Sequence, residues 1–203
     1  MSQLIVDTLR ASGSSIRVAK PNVINAPGHI IDVYFTVAMQ RFYHKIPNND
    51  NAMRDSHVGQ NYTAGGTIIR ALDVTVVPKT VRSWFHIEFN MFYEAHHDVT
   101  FNILRDGNWL GGQLYGGDQN QARWNGMAVS HYDNNNDSTP HYLTTSFFDC
   151  PGTTGPTTYS LAAKTGDGSN RDFVLNGTFA NYENGGNAYE QGVSFTIAQE
   201  YAD

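Results

Sequence analysis

Apolar and polar side chains alternate with a period of two along much of the chain. From His29 to Ala38, Ile31, Val33, Phe35 and Val37 alternate with Asp32, Tyr34 and Thr36. From Val81 to Tyr93, Phe85, Ile87, Phe89 and Met91 alternate with Trp84, His86, Glu88 and Asn90. Val99, Phe101 and Ile103 alternate with Thr100 and Asn102, and Val193, Phe195 and Ile197 alternate with Ser194, Thr196 and Ala198. A period of two is the mark of a strand, whose successive side chains point to opposite faces. Weaker patterns predict strands over Ile68–Val77, Trp109–Leu114, Trp124–His131, Tyr142–Asp149, Thr157–Ala163 and Phe173–Phe179. No stretch shows a helical stripe. About ten short strands divided by turns predict an all-β fold, a sandwich or jelly roll of antiparallel strands.

The punctuation between strands has its own chemistry. Arg105-Asp106-Gly107-Asn108 places Asp-Gly between two apolar runs, a strong hairpin signal. Asp149 to Pro156 holds two prolines, and neither suits a central strand. Residues 39–66 form a long excursion between strands, through Pro47-Asn48-Asn49-Asp50-Asn51 to Gly65-Gly66. Loops of this length tend to be functional or to make subunit contacts. Residues 1–28 form a short arm. Leu4, Ile5, Val6 and Leu9 suit one small strand, Ile16 and Val18 another, and Pro21 and Pro27 stop any continuation. The arm is too small to hold a core of its own, so it docks on a partner or packs on its own domain. The rest, 29–203, is expected to be a single sandwich domain.

Composition narrows the class. Of 203 residues, 19 are Asn, 19 Gly and 17 Thr, against 4 Lys and 5 Glu. Long surface helices draw on Lys and Glu, which are scarce here. The net charge is −6, and the basic residues are scattered singly, which excludes a basic nucleic-acid-binding stripe. No apolar window reaches the length of a membrane span. The start, Met1-Ser2-Gln3-Leu4-Ile5-Val6-Asp7, shows no signal peptide, so synthesis in a cytoplasm is expected. The single cysteine, Cys150, excludes an intramolecular disulfide and reads as a structural or incidental thiol. The sequons at Asn61, Asn136 and Asn176 read as chance matches.

Candidate chemistry is sparse. His96-His97-Asp98 lies at a strand start, where neighbours point apart and share one metal ion poorly. Asp133, Asn135 and Asp137 have the 1, 3, 5 spacing of a calcium loop, but Ser138 stands where glycine is expected and Thr144 where a bidentate Glu is. A solvated loop is the plainer reading, and neither metal nor cofactor is expected. No catalytic motif or local acid pair is present, so an enzyme is not expected either. Trp109, Tyr115, Trp124, His131, Tyr132 and Tyr142 are interleaved with Gly, Asn, Gln and Asp. Aromatic faces beside planar polar groups can grip a sugar, because C–H faces stack and hydroxyls pair. Alternatively, Trp109 and Trp124 are inward core residues or line the axis of a trimer.

Several segments together resemble small bacteriophage fibre or receptor-binding proteins, especially those of cyanophages and other marine phages. Leu4-Ile5-Val6-Asp7-Thr8-Leu9 followed by a Ser/Gly stretch is similar to their N-terminal module. Ala26-Pro27-Gly28-His29-Ile30-Ile31 resembles their first strand entry, Val76-Val77-Pro78-Lys79-Thr80 their Pro-x-Ser/Thr element, and Arg105-Asp106-Gly107 their hairpin. Asp149-Cys150-Pro151-Gly152-Thr153-Thr154-Gly155-Pro156-Thr157-Thr158-Tyr159 is the closest likeness, and Val193 to Ile197 stands at their last strand. The 39–66 excursion and the ending Ala198-Gln199-Glu200-Tyr201-Ala202-Asp203 depart from the pattern. The resemblance implies a homotrimeric jelly roll similar to tumour-necrosis-factor-like domains. It implies a virion protein attached to other virion proteins by Leu4, Ile5, Val6 and Leu9 of the arm, with loops that meet a host-surface glycan or protein. The alternative role is a capsid-decorating or head-fibre protein. A polysaccharide-degrading tail enzyme is a third.

Overall fold

The structure is a computed structural model that describes residues 28–46, 67–96, 99–110, 128–129, 138–165, 170–180 and 190–201. The longest alternation becomes the longest strand, β5 (Trp84–Ala95), whose odd-numbered residues are buried throughout. Around it, among the described residues, stand β1 (Ile30–Ala38), β2 (Phe42–Ile46), β3 (Thr67–Ile68), β4 (Val74–Val76), β6 (Val99–Arg105), β7 (Asn108–Trp109), β8 (Ala128–Val129), β9 (His141–Asp149), β10 (Thr157–Thr165), β11 (Arg171–Leu175) and β12 (Ser194–Tyr201).

The strands form two antiparallel sheets. In the first, β9 runs along one edge of β5. The other edge is shared end to end by β12, opposite Trp84–Asn90, and β11, opposite Tyr93–Ala95. β1 lies outside β12 and β2 outside β11. In the second sheet Tyr159–Thr165 of β10 pairs with the whole of β6, with β3 and β4 beyond β10 and β7 and β8 beyond β6. The two sheets face each other as an all-β sandwich. Phe85, Ile87, Phe89, Met91 and Tyr93 of β5 meet Val99, Phe101 and Ile103 of β6, with Tyr159 and Leu161 of β10, and all are buried. Tyr93 meets Phe101 edge-on at 5.2 Å, and Phe101 meets Phe173 at 5.7 Å. Each such side chain stabilises the fold by about 1.5–3 kcal/mol through burial.

The hairpin between β6 and β7 is the one its Asp-Gly signal predicts. Asp106 and Gly107 both have positive φ, 49° and 77°, as the tight two-residue turn requires. Arg105 then pairs with Asn108. Other segments differ from expectation, among them Phe173–Phe179, whose strand β11 ends at Leu175. The pattern over Ile68–Val77 is broken by a 3-10 turn at Arg70–Leu72, which separates β3 from β4. β2 lies inside the 39–66 segment, because Phe42–Ile46 finds a partner in β11.

The join between β11 and β12 is held by side chains. Asn176 adopts φ 61°, a conformation that Asn tolerates better than most residues. Its amide donates to the carbonyls of Ala38 and Gln40, at 2.7 and 2.9 Å, and its Oδ1 accepts from Ser194 at 2.6 Å. Its backbone N–H reaches the Phe92 carbonyl at 2.8 Å. Nearby, the buried Glu94 carboxylate accepts from the Thr139 N–H and hydroxyl and from the Phe179 N–H. Glu190 accepts from Ser138 and Thr178. Two carboxylates thus tie the entry to β9 to the chain leaving β11.

Candidate functional site

Alternation along β1 leaves the core in an unexpected orientation. Tyr34, Thr36 and Ala38 point inward, and Val33, Phe35 and Val37 point outward. Hydrogen bonding explains the choice. The Thr36 hydroxyl donates to the Asp73 carbonyl at 2.8 Å, the Thr196 hydroxyl to the Leu72 carbonyl at 2.7 Å, and the Tyr34 hydroxyl to the Val77 carbonyl at 3.0 Å. Leu72, Asp73 and Val77 lie outside strands β3 and β4, and a buried carbonyl left without a donor costs about 1–3 kcal/mol. Three inward hydroxyls answer them. The apolar members of β1 and β12 are thereby turned to the outer face of the first sheet.

That face is ordered in rows by the strand register. Val33, Gln199, His86 and Phe148 form one row, and Phe35, Ile197, Glu88 and Ser146 the next. Val37, Phe195, Asn90 and Thr144 form the third. Phe35 is 72% exposed, Tyr142 58%, Phe148 56% and Trp84 48%. The face has two unlike halves. β1 and β12 present a hydrocarbon ridge. β5 and β9 present aromatic groups at both ends and small polar groups between.

The polar groups of the face are tied to one another. The His86 ring stacks on Phe148, with centroids 4.6 Å apart, and Phe148 meets Tyr201 at 6.2 Å. The Tyr201 hydroxyl donates to Gln199 Oε1 at 3.2 Å. Asn90 donates to Glu88 at 2.7 Å and accepts from the hydroxyls of Thr144 and Tyr142, at 2.8 and 3.3 Å. On the other side of β1, with Tyr34, Asp32 pairs with the Lys79 ammonium at 2.8 Å. This bond holds the Asp32 carboxyl below its usual value and raises the Lys79 ammonium above its own. The Lys79 N–H donates to the buried Glu200 carboxylate at 2.6 Å.

Of the aromatic set predicted to grip a sugar, Tyr142 stands on this face. Trp109 belongs to β7, in the other sheet, where it pairs with Leu104. Tyr115, Trp124, His131 and Tyr132 lie outside the described residues, as do the Asp133–Asp137 loop and Leu4, Ile5, Val6 and Leu9 of the arm. The two described members, Trp109 and Tyr142, thus lie in different sheets. Among the described residues no three His, Cys, Asp or Glu side chains converge as a metal site. No described helix is long and apolar enough to cross a membrane. Cys150 is half-buried, its thiol 3.6 Å from the Val81 carbonyl.

Period two does not say which face of a strand is buried, so Phe35, Trp84 and Phe148 carry no surface signal of their own. A signal existed in β9, where Tyr-Leu-Thr-Thr-Ser-Phe-Phe does not alternate cleanly and offers aromatics to both faces. No protein-family model matches the chain, and no curated protein matches its sequence.

Proposed function

We propose that the protein is a virion structural protein: a homotrimeric phage fibre or spike of jelly-roll sandwiches. In this reading the arm attaches it to the particle and the loops bind a host-surface receptor. The observation that supports it best is the outer face of the β1–β12–β5–β9 sheet. Val33, Phe35, Val37, Trp84, Tyr142 and Phe148 put exposed aliphatic and aromatic side chains on one sheet face, toward the upper end of what a lone soluble domain shows. Such a field is what a self-assembling subunit needs. The phage assignment draws on the resemblance of the arm, the Asp-Gly hairpin and the Asp149–Tyr159 segment. The neutral, Asn- and Thr-rich exterior suits contact with polysaccharide, and three weak sites on one assembly add avidity.

The test is mass and place. Light scattering after gel filtration should give a trimer, and labelled antibody should mark the tail of phage particles in electron micrographs. A monomer in solution overturns the assembly reading. Label confined to the capsid overturns receptor binding in favour of a decorating role.

A further inference from the structure

β9 is an edge strand. Among the described residues it pairs with β5 alone, over nine residues without a register shift, and no described strand lies beyond it. The opposite margin of the sandwich is closed. There β1 meets the 3-10 turn through the Thr36 hydroxyl on the Asp73 carbonyl, and β2 meets β3 through the Thr67 hydroxyl on the Lys45 carbonyl at 3.4 Å. Along β9 the core runs out to the edge, where Leu143 and Phe147 pack on it from inside yet are only half-buried. An edge strand turns a row of N–H and C=O groups outward, and lone domains blunt such edges with charge, proline, bulges or short length. Between His141 and Asp149 the run Tyr-Leu-Thr-Thr-Ser-Phe-Phe has no charged residue, proline or glycine.

We infer that β9 pairs with β9 of a second copy, antiparallel, about a two-fold axis at Thr145. The strand's own sequence names this occupant, because it is self-complementary about that residue. Tyr142 then lies opposite Phe148, Leu143 opposite Phe147, and Thr144 opposite Ser146. On the outer face aromatic meets aromatic and hydroxyl meets hydroxyl, and on the core face apolar meets apolar. These are the combinations that stabilise cross-strand pairs. An axis at Thr144 or Ser146 would instead set Tyr142 against Ser146, or Phe148 against Thr144. Asp149, the carboxylate at the strand's end, is held inside by Arg105 and Tyr159, so the edge brings no carboxylate of its own to the contact. Each pair is met twice across the axis, so the contact closes at two copies.

This pairing goes beyond the trimeric reading and does not need it, since it doubles whatever the rest of the chain assembles. Strand addition alone covers less than a standard interface, so the doubling follows protein concentration. Light scattering of the full chain over a concentration series should show a twofold rise in mass. Thr144 and Ser146 are exposed. Thr144→Lys/Ser146→Lys sets Lys against Lys across the axis and should stay at the lower mass. Thr144→Glu/Ser146→Lys sets Glu against Lys and should double as wild type does, with thermal melts to show that each folds. In a Cys150→Ser background, Thr144→Cys mixed with Ser146→Cys should form a disulfide-linked dimer under mild oxidation. Neither variant should do so alone, because opposite residues stand about 4.5–5.5 Å apart and diagonal ones about 7–8 Å, beyond a disulfide's reach. Doubling and cross-link must occur together, and the absence of either overturns the pairing, as does a folded Lys/Lys variant that still doubles. A trimer that never doubles leaves the trimeric reading standing. A monomer that doubles with the cross-link overturns the trimer alone, and a monomer at every concentration overturns both.

Discussion

Asn176 shows how much one residue can carry. It accepts a left-handed backbone, satisfies two carbonyls of the β1–β2 connection and fixes Ser194 at the start of β12. Asn176→Ala strands those groups and strains the backbone, so it should destabilise the fold by about 2–4 kcal/mol. Asn176→Gly tolerates the positive φ and should lose about 1 kcal/mol less. Urea denaturation of the two variants measures the difference. His44 offers a pH test. Its ring lies against Phe173 at 5.6 Å, its Nε2 has no hydrogen-bond partner, and burial lowers its pKa below the ordinary 6.5. The folded state therefore prefers the neutral ring. Its contribution is fully present above pH 6.5 and is lost as pH falls from there through the lowered folded value. His44→Gln should flatten that part of the stability curve, read as the melting temperature between pH 7 and 5. In the sequence Asn176 was visible only as a sequon, and His44 as a residue of a mixed segment. Their roles come from contacts with Ala38, Gln40, Ser194 and Phe173, and local pattern carries no record of those.

At the scale of elements, period two located β1, β5, β6 and β12, because a strand half-buried in a sandwich must alternate. It did not say which face of each is inside. In β5 and β6 the apolar set is buried, as transfer free energy demands. In β1 and β12 the carbonyls around the 3-10 turn outbid it, and Thr36 and Thr196 face inward. That turn was itself hidden, because Ile68–Val77 is apolar enough to read as one strand. A second inter-element tie is part-buried between the sheets. Arg105 of β6 reaches both oxygens of Asp149 of β9, at 3.0 and 2.9 Å, and the Tyr159 hydroxyl of β10 donates to Asp149 at 2.7 Å. Burial, and then the bond to Asp149, push the Tyr159 hydroxyl well above its ordinary value, so it stays protonated and donating. Tyr159→Phe keeps the ring in the core and removes one charge-assisted bond, so it should cost about 1.5–3 kcal/mol. Arg105→Met leaves the Asp149 carboxylate without its cation and should cost at least as much. A double-mutant cycle by denaturant unfolding should return a coupling well above zero, because the two groups share one carboxylate.

For the whole molecule, the net charge of −6 and the outer face pull in different directions. The charge keeps copies apart at long range, while the face is nearly neutral and rich in aromatic surface. Salt acts on these two terms oppositely. Counter-ions screen repulsion between copies within about 10 Å at 0.1 M and 3 Å at 1 M. They do little to weaken apolar contact, which salts of the sulfate kind strengthen. An assembly held by the β1–β12–β5–β9 face should therefore keep its mass as sodium chloride rises from 0.05 to 1 M, and tighten in sulfate. It should loosen on cooling toward 4 °C, since hydrophobic attraction weakens as temperature falls. Sedimentation equilibrium across that grid reads all three trends. An oligomer that falls apart at 1 M salt would place its contacts on charged pairs instead, such as the rim where Lys79 meets Asp32. The distinction was not legible in the sequence, where Phe35, Ile197 and Phe148 lie far apart. Only strand register sets them on one face, Phe35 against Ile197 in one pair and His86 against Phe148 in another. The salt series thus tests whether the proposed assembly rests on that register or on charged pairs.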